Sequence, residues 1–284
     1  MMSYIRSLFS LRGNVAVVTG AGANGGIGHA IALGLGRAGA HIAIADKDPA
    51  GLATTAAELS AIGVVHLACV CDIGKGADID HLFATVGEQF GRVDVLVNVP
   101  FSFNQRVPPH EIDLDDWASA ISVNVTGYLL CCQAALRDML ARGEGGSLIN
   151  IGSNAGVASL GRGALIYGCT KAAVHQLTRE LAVEYAASGI RCNALLPAQT
   201  LTPGLQSHLE NPAFRDHVLP RILASLPQGK LLQPDDYVGP AIFLASRASL
   251  AVNGVLLPVD GGHLAMNPSG SPGPDHRSYA GSPN

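Results

Sequence analysis

Tyr167 and Lys171 lie four residues apart in a stretch of helical periodicity, residues 164–187. That spacing puts both side chains on one helix face, a single turn apart. A free phenol has a pKa near 10 and is a poor base at neutral pH. A neighbouring ammonium stabilises the phenolate and lowers that value. Such a pair can move a proton on or off an oxygen, the event that must accompany hydride transfer between a secondary alcohol and a nicotinamide. Alone, the two would be a surface tyrosine and a solvated lysine, so their meaning depends on what the sequence sets around them.

The first apolar run, residues 14–19, leads directly into Gly20-Ala21-Gly22-Ala23-Asn24-Gly25-Gly26-Ile27-Gly28, and a helical stretch follows. Glycines between a first strand and a first helix let backbone N–H groups approach a pyrophosphate at the positive helix end. Gly20, Gly22 and Gly25 spell G-x-G-x-x-G, while Gly22, Gly26 and Gly28 spell G-x-x-x-G-x-G. The second spelling is preferred, because Gly26-Ile27-Gly28 abuts the helix start, with Ile27 presenting its backbone. Asn24 is counted with the cofactor-contacting residues of this turn. Asp46 closes the second strand near the roughly 20-residue offset of a ribose-binding acid. Its carboxylate would accept from both ribose hydroxyls and repel a 2′-phosphate. The glycine loop carries no Arg or Lys to neutralise such a phosphate, although Lys47 beside the acid could tolerate one. NAD is therefore the expected cofactor, with NADP the lesser alternative.

These groups need a scaffold, and the chain alternates short apolar runs with longer alanine-rich stretches. Strands are expected at 14–19, 41–45, 64–70, 93–97, 147–151, 191–196 and 255–259. Helices are expected at 29–38, 50–61, 79–90, 114–141, 164–187 and 235–245. This alternation predicts an α/β fold, a Rossmann-type doubly wound parallel sheet with helices on both faces. The near-continuous apolar character of the runs fits strands buried on both sides. Residues 1–265 read as a single domain, and the Pro/Gly/Ser-rich stretch 266–284 as a flexible tail. Between 202 and 226, prolines punctuate an apolar, helical insertion.

Of the 284 residues, 48% are hydrophobic and 14% charged, ample for a large core. The net charge of −4 and the lack of a basic run argue against nucleic-acid or anionic-membrane partners. No apolar run approaches the roughly 18 residues that cross a bilayer. Residues 1–12 hold two arginines and no acid, a faint echo of a transit peptide that is too short, so a cytoplasmic protein is expected. The six cysteines lack CxxC spacing and read as buried, reduced thiols. His175, His208, His217 and His263 show no metal-ligand spacing. His208, Arg215, His217 and Arg221 read as an exposed helix face in the insertion.

Taken in order, these parts resemble the short-chain dehydrogenase/reductase family over nearly the whole globular length. The family's Thr-Gly-x-x-x-Gly-x-Gly turn corresponds to Thr19, Gly20, Gly26 and Gly28, with two extra residues. Its adenine-holding acid-aliphatic pair resembles Asp72-Ile73, its active-site Asn matches Asn124, and its serine matches Ser153. Tyr-x-x-x-Lys is Tyr167 to Lys171, and the later Pro-Gly and Thr resemble Pro197-Ala198 and Thr202. Asp260-Gly261-Gly262 matches the terminal Asp-Gly-Gly. The family's Asn-Asn-Ala-Gly reads Asn98-Val99-Pro100-Phe101 here, where proline removes a donor and phenylalanine fills space. One more residue than usual separates Ser153 from Tyr167, so the loop around Arg162 should bulge.

The resemblance implies that Tyr167 is the general acid/base, that Lys171 also binds the nicotinamide ribose, and that Ser153 holds the substrate oxygen. It implies that Asn124 holds a water linking Lys171 to solvent. Asn98, Pro197, Thr200 and Thr202 join the cofactor contacts. The segment at about 200–228 becomes a substrate-covering lid, with Phe101 and Phe103 making the pocket partly apolar. A small alcohol or ketone is the expected substrate, and a homo-oligomer, tetramer or dimer, the expected assembly. Reduction of activated C=C bonds, in the related enoyl reductases, usually accompanies a longer Tyr-to-Lys spacing. A non-catalytic NAD(P)-binding scaffold or redox sensor is the remaining alternative, supported by the Asn98–Phe101 departure.

Overall fold

The computed structural model describes residues 2–102 and 106–267; Phe103 and the stretch 268–284 lie outside the described residues. Seven strands form one parallel sheet. They are β1 (Val15–Thr19), β2 (His41–Asp46), β3 (His66–Val70), β4 (Val95–Asn98), β5 (Gly146–Ile151), β6 (Ile190–Pro197) and β7 (Leu256–Val259). Their order, β3-β2-β1-β4-β5-β6-β7, reverses direction between β1 and β4. A crevice opens at such a switch point, beyond the carboxyl ends of the strands.

Successive strand residues face opposite sides. In β1, Ala16 and Val18 join one core with α2 (Ile27–Arg37), α3 (Pro49–Ala61) and α10 (Val238–Ala245). Val15 and Val17 join the other, with α4 (Gly76–Phe90), α6 (Tyr128–Arg142) and α7 (Leu165–Glu184). Every residue of β1 and β6 is buried, and the polar Arg191 and Asn193 of β6 are hydrogen-bonded inside the fold. All six cysteines are free thiols; five are buried, and Cys169 is exposed.

Three elements depart from expectation. A short helix α1 (Met2–Phe9) precedes the first strand, where none was expected. The long helix expected at 114–141 is α5 (Leu114–Ile121), a π-helical turn Ser122–Gly127, then α6. By length and composition the run Leu114–Arg142 would pass for a membrane span. Instead its α6 part lies in the core against the sheet, with Tyr128, Cys131, Cys132 and Met139 buried. The insertion is two short helices, α8 (Pro203–Leu209) and α9 (Leu219–Ala224), with a π-helical turn at Phe214–Val218 between them. His208, Arg215, His217 and Arg221 on it are exposed. The extra residue before Tyr167 is taken up where Gly161, Arg162 and Gly163 all adopt positive φ, Arg162 at +54°.

Candidate active site

A cleft of about 560 Å³ lies at the switch point. Its floor at one end is the glycine turn: Gly20, Gly26, Ile27 and Gly28 all line it. Gly26 caps α2 in an extended conformation, and the first turn carries no acid, so the helix end is left to attract an anion. A Cβ at Gly28 would collide with the carbonyl of Gly20. Only glycine there lets the helix start sit flush on the strand exit, a cradle shaped for a pyrophosphate.

Asp46 ends β2 at the edge of this cradle. Its Oδ2 accepts the Gly22 N–H at 2.9 Å and its Oδ1 the Asp48 N–H at 3.1 Å, which fixes the carboxylate's direction. Lys47 also lines the cleft. Asp72 and Ile73 follow β3, with Asp72 Oδ1 accepting the Gly74 N–H at 3.0 Å. On the far wall stand Pro197, Thr200 and Thr202. The Thr200 hydroxyl bonds the Tyr237 hydroxyl at 2.6 Å, and Thr202 caps α8.

At the other end Tyr167 and Lys171 line the cleft from α7. Lys171 is 1% exposed; its ammonium donates to the Ile151 carbonyl at 2.7 Å and lies 5.8 Å from the Tyr167 ring centre. Burial lowers its pKa to about 7. Burial raises the Tyr167 phenol, and a hydrogen bond with Ser153 pulls it back down. Ser153 is thus a neighbour that counters burial at Tyr167, beside the ammonium of Lys171. Phe101 packs edge-on against the Tyr167 ring at 5.9 Å.

Three expected contacts lie elsewhere. Asn24 is exposed, and its Oδ1 accepts the Thr55 hydroxyl at 3.1 Å, tying the turn to α3 rather than facing the cleft. Asn98 is fully buried inside the sheet, accepting from Thr19 at 3.3 Å and donating to Asn150 at 3.1 Å. Asn124, within the π-helical turn, is fully buried too. Its Oδ1 accepts the Ser102 N–H at 2.6 Å, and its Nδ2 donates to the Ser102 carbonyl at 3.2 Å and Thr170 at 3.3 Å. Both amide protons are thus engaged, and the side chain pins the loop after β4.

Sequence reasoning did not single out Tyr128, and it weighed His175 only as a metal ligand. The Tyr128 hydroxyl lies 3.5 Å from the Lys171 ammonium and donates to the Pro100 carbonyl at 3.0 Å. His175 touches the Ser153 backbone. Spacing offered a signal for both, since each falls four residues after a residue already singled out, Asn124 and Lys171.

Comparison with known proteins agrees with this geometry. The family model described as Enoyl-(Acyl carrier protein) reductase matches residues 20–263. D-threitol dehydrogenase of Mycolicibacterium smegmatis is 34% identical, covering 90% of this chain and 94% of its own length. The chain belongs to the short-chain dehydrogenase/reductase family. The 2-dehydro-3-deoxy-D-gluconate 5-dehydrogenase of Escherichia coli is another relative of this family member, 35% identical over 92% of this chain and 99% of its own. Among solved structures, a gluconate 5-dehydrogenase from Burkholderia cenocepacia in complex with NADP and tartrate superposes with a TM-score of 0.83. It is 34% identical and covers 93% of this chain and all of its own. The reaction class follows: this short-chain dehydrogenase/reductase is an NAD(P)-dependent oxidoreductase acting on CH–OH groups.

Proposed function

We propose that the protein interconverts a secondary alcohol of a small polyhydroxylated compound and the corresponding ketone, with NAD as cofactor and Tyr167 as general acid/base. The observation that carries this reading is that Tyr167 and the buried Lys171 line one cleft with Asp46, with Ser153 hydrogen-bonded to the Tyr167 phenol. The named substrates of the threitol and gluconate dehydrogenases support the polyol class.

In alcohol oxidation Tyr167, as phenolate, takes the hydroxyl proton, while Ser153 orients the substrate oxygen and stabilises charge developing on it. Lys171, held by the Ile151 carbonyl, favours the phenolate electrostatically and would hold the nicotinamide ribose. The nicotinamide, when bound, supplies the hydride acceptor or donor. Oxidation therefore gains with rising pH as the phenol ionises, and reduction, which needs the phenol, loses. Asn124 serves this chemistry by fixing the loop at Ser102, and the segment at about 200–228 covers the substrate.

NAD is favoured because the Asp46 carboxylate lines the cleft and would repel a 2′-phosphate on a ribose held there. Lys47 is the route by which NADP would be accommodated, and the gluconate 5-dehydrogenase neighbour holds NADP. The reading extends to a cytoplasmic homo-oligomer, tetramer or dimer. Exposed Leu114 on α5 and Val183 on α7 supply apolar surface for such contacts.

The test follows NADH absorbance with D-threitol and D-gluconate as probes. Tyr167→Phe is expected to lower turnover by about 10²- to 10⁴-fold while NADH still binds. Unchanged turnover would overturn the assignment of Tyr167.

A further inference from the structure

One buried titratable group at the site takes no part in the chemistry above. His175 sits one turn beyond Lys171 on α7 and is 2% exposed. Its Nε2 accepts the backbone N–H of Ser153 at 3.3 Å. The loop after β5 closes around the ring. A Cβ at Gly152 would lie 2.5 Å from Nε2, and one at Gly156 would lie 2.6 Å from Cε1. Two glycines thus bracket one imidazole, and the path of the loop and the place of the ring depend on each other.

The loop so held carries Ser153. The serine Oγ accepts the Ala155 N–H at 3.1 Å and hydrogen-bonds the Tyr167 phenol. A ring nitrogen that accepts must be unprotonated, so the imidazole is neutral with its proton on Nδ1. On its other side the ring packs its Cε1 edge against Gly156. The loop therefore meets the ring twice, through a hydrogen bond at Ser153 and through close packing at Gly156.

We propose that His175 is a positioning residue, whose neutral, Nδ1-protonated imidazole holds the Ser153 loop so that the serine hydroxyl meets Tyr167. This rests on the role given to Ser153 above. The electrostatic surroundings keep the ring in the required form. Burial pulls its pKa down to about 4, and the Lys171 and Arg179 cations on the same helix act in the same direction. From the loop packed against it the ring meets the uncharged backbone of Ser153 and Gly156. Protonation would turn Nε2 into a donor facing the Ser153 N–H, and the grip would be lost.

Two substitutions separate acceptor from volume. His175→Leu fills similar space without an acceptor, and His175→Gln keeps a carbonyl acceptor that does not titrate. With D-threitol and NAD as probes, His175→Leu is expected to lose about tenfold or more in kcat, with NADH affinity retained. His175→Gln is expected to recover most of that loss. Wild-type kcat in His175→Leu, or equal losses in both variants, would overturn the proposal, the latter because volume alone would then matter. A second arm needs no turnover: ¹⁵N NMR of the imidazole, assigned by its loss in His175→Gln. At pH 7 the proton is expected on Nδ1, and the Ser153 amide shift is expected to move only as pH falls toward 4. A ring protonated on Nε2 at pH 7 would overturn the inference even in a fully active enzyme. Failure of the proposed reaction would silence only the kinetic arm.

Discussion

Burial alone pulls the Lys171 ammonium down to about 7, because its hydrogen-bond partners are neutral: the Ile151 carbonyl at 2.7 Å and the Tyr128 hydroxyl at 3.5 Å. A cation so placed is near its midpoint at physiological pH, and each dipole aimed at it decides how much of it stays charged. Tyr128 has a second tie, donating to the Pro100 carbonyl in the loop that departs from the family's Asn-Asn-Ala-Gly. Tyr128→Phe keeps the ring and removes the hydroxyl. The Lys171 pKa is expected to fall further, since an acceptor for the charged form is lost. The Pro100 carbonyl also loses its donor, at about 1 kcal/mol of stability. The pH dependence of kcat/KM, with urea unfolding of the same variant, checks both. An unmoved pH profile would mean that the 3.5 Å contact carries no electrostatic weight.

At the scale of elements, the five inner strands were legible because burial on both faces leaves largely apolar runs, while the edge strands β3 and β7, only partly buried, were legible from their place in the alternation. The glycine turn was legible because its spacing is dictated by backbone approach, and the collision of a Cβ at Gly28 with the Gly20 carbonyl shows why. Side-chain direction was not legible. Asn98 lies opposite Thr19 and Asn150 in the sheet register, so its amide bonds sideways into the sheet. Likewise Ser122–Gly127 keeps a helical apolar pattern, and no composition cue marks it as a π-helical turn. Such turns often occur at functional sites, and this one sets Asn124 against the backbone of Ser102. The contacts of Tyr128 and His175 were not legible because their partners, Pro100 and Ser153, lie 28 and 22 residues away. Asn124→Ala is expected to free the loop after β4, raising KM for the alcohol while leaving the dissociation constant for NADH within about twofold. Three lost hydrogen bonds at a buried amide would cost roughly 1–3 kcal/mol of stability. Parallel losses in both constants would instead point to collapse of the cleft.

For the whole molecule, the cleft draws its walls from both halves of the sheet. The glycine turn and Asp46 come from one side of the switch point, and Tyr167, Lys171 and Pro197 from the other. Thr202, Pro203 and Gly204 add the start of the insertion. A ligand filling such a cleft contacts both halves only when the chain is folded, so binding stabilises the native state by mass action. At a hundred times its dissociation constant a ligand contributes about 2.7 kcal/mol. For a chain of this size that corresponds to a rise in Tm of roughly 5–10 °C. Thermal shift therefore reads cofactor choice without any substrate. At equal concentration NAD is expected to raise Tm more than NADP, because the Asp46 carboxylate, aimed by the Gly22 and Asp48 N–H groups, repels a 2′-phosphate. Asp46→Ala should shrink the NAD shift and leave the NADP shift unchanged or larger, with Lys47 then free to meet the phosphate. An equal or larger shift for NADP in the wild type would remove Asp46 as the selector and assign that end of the cleft to Lys47.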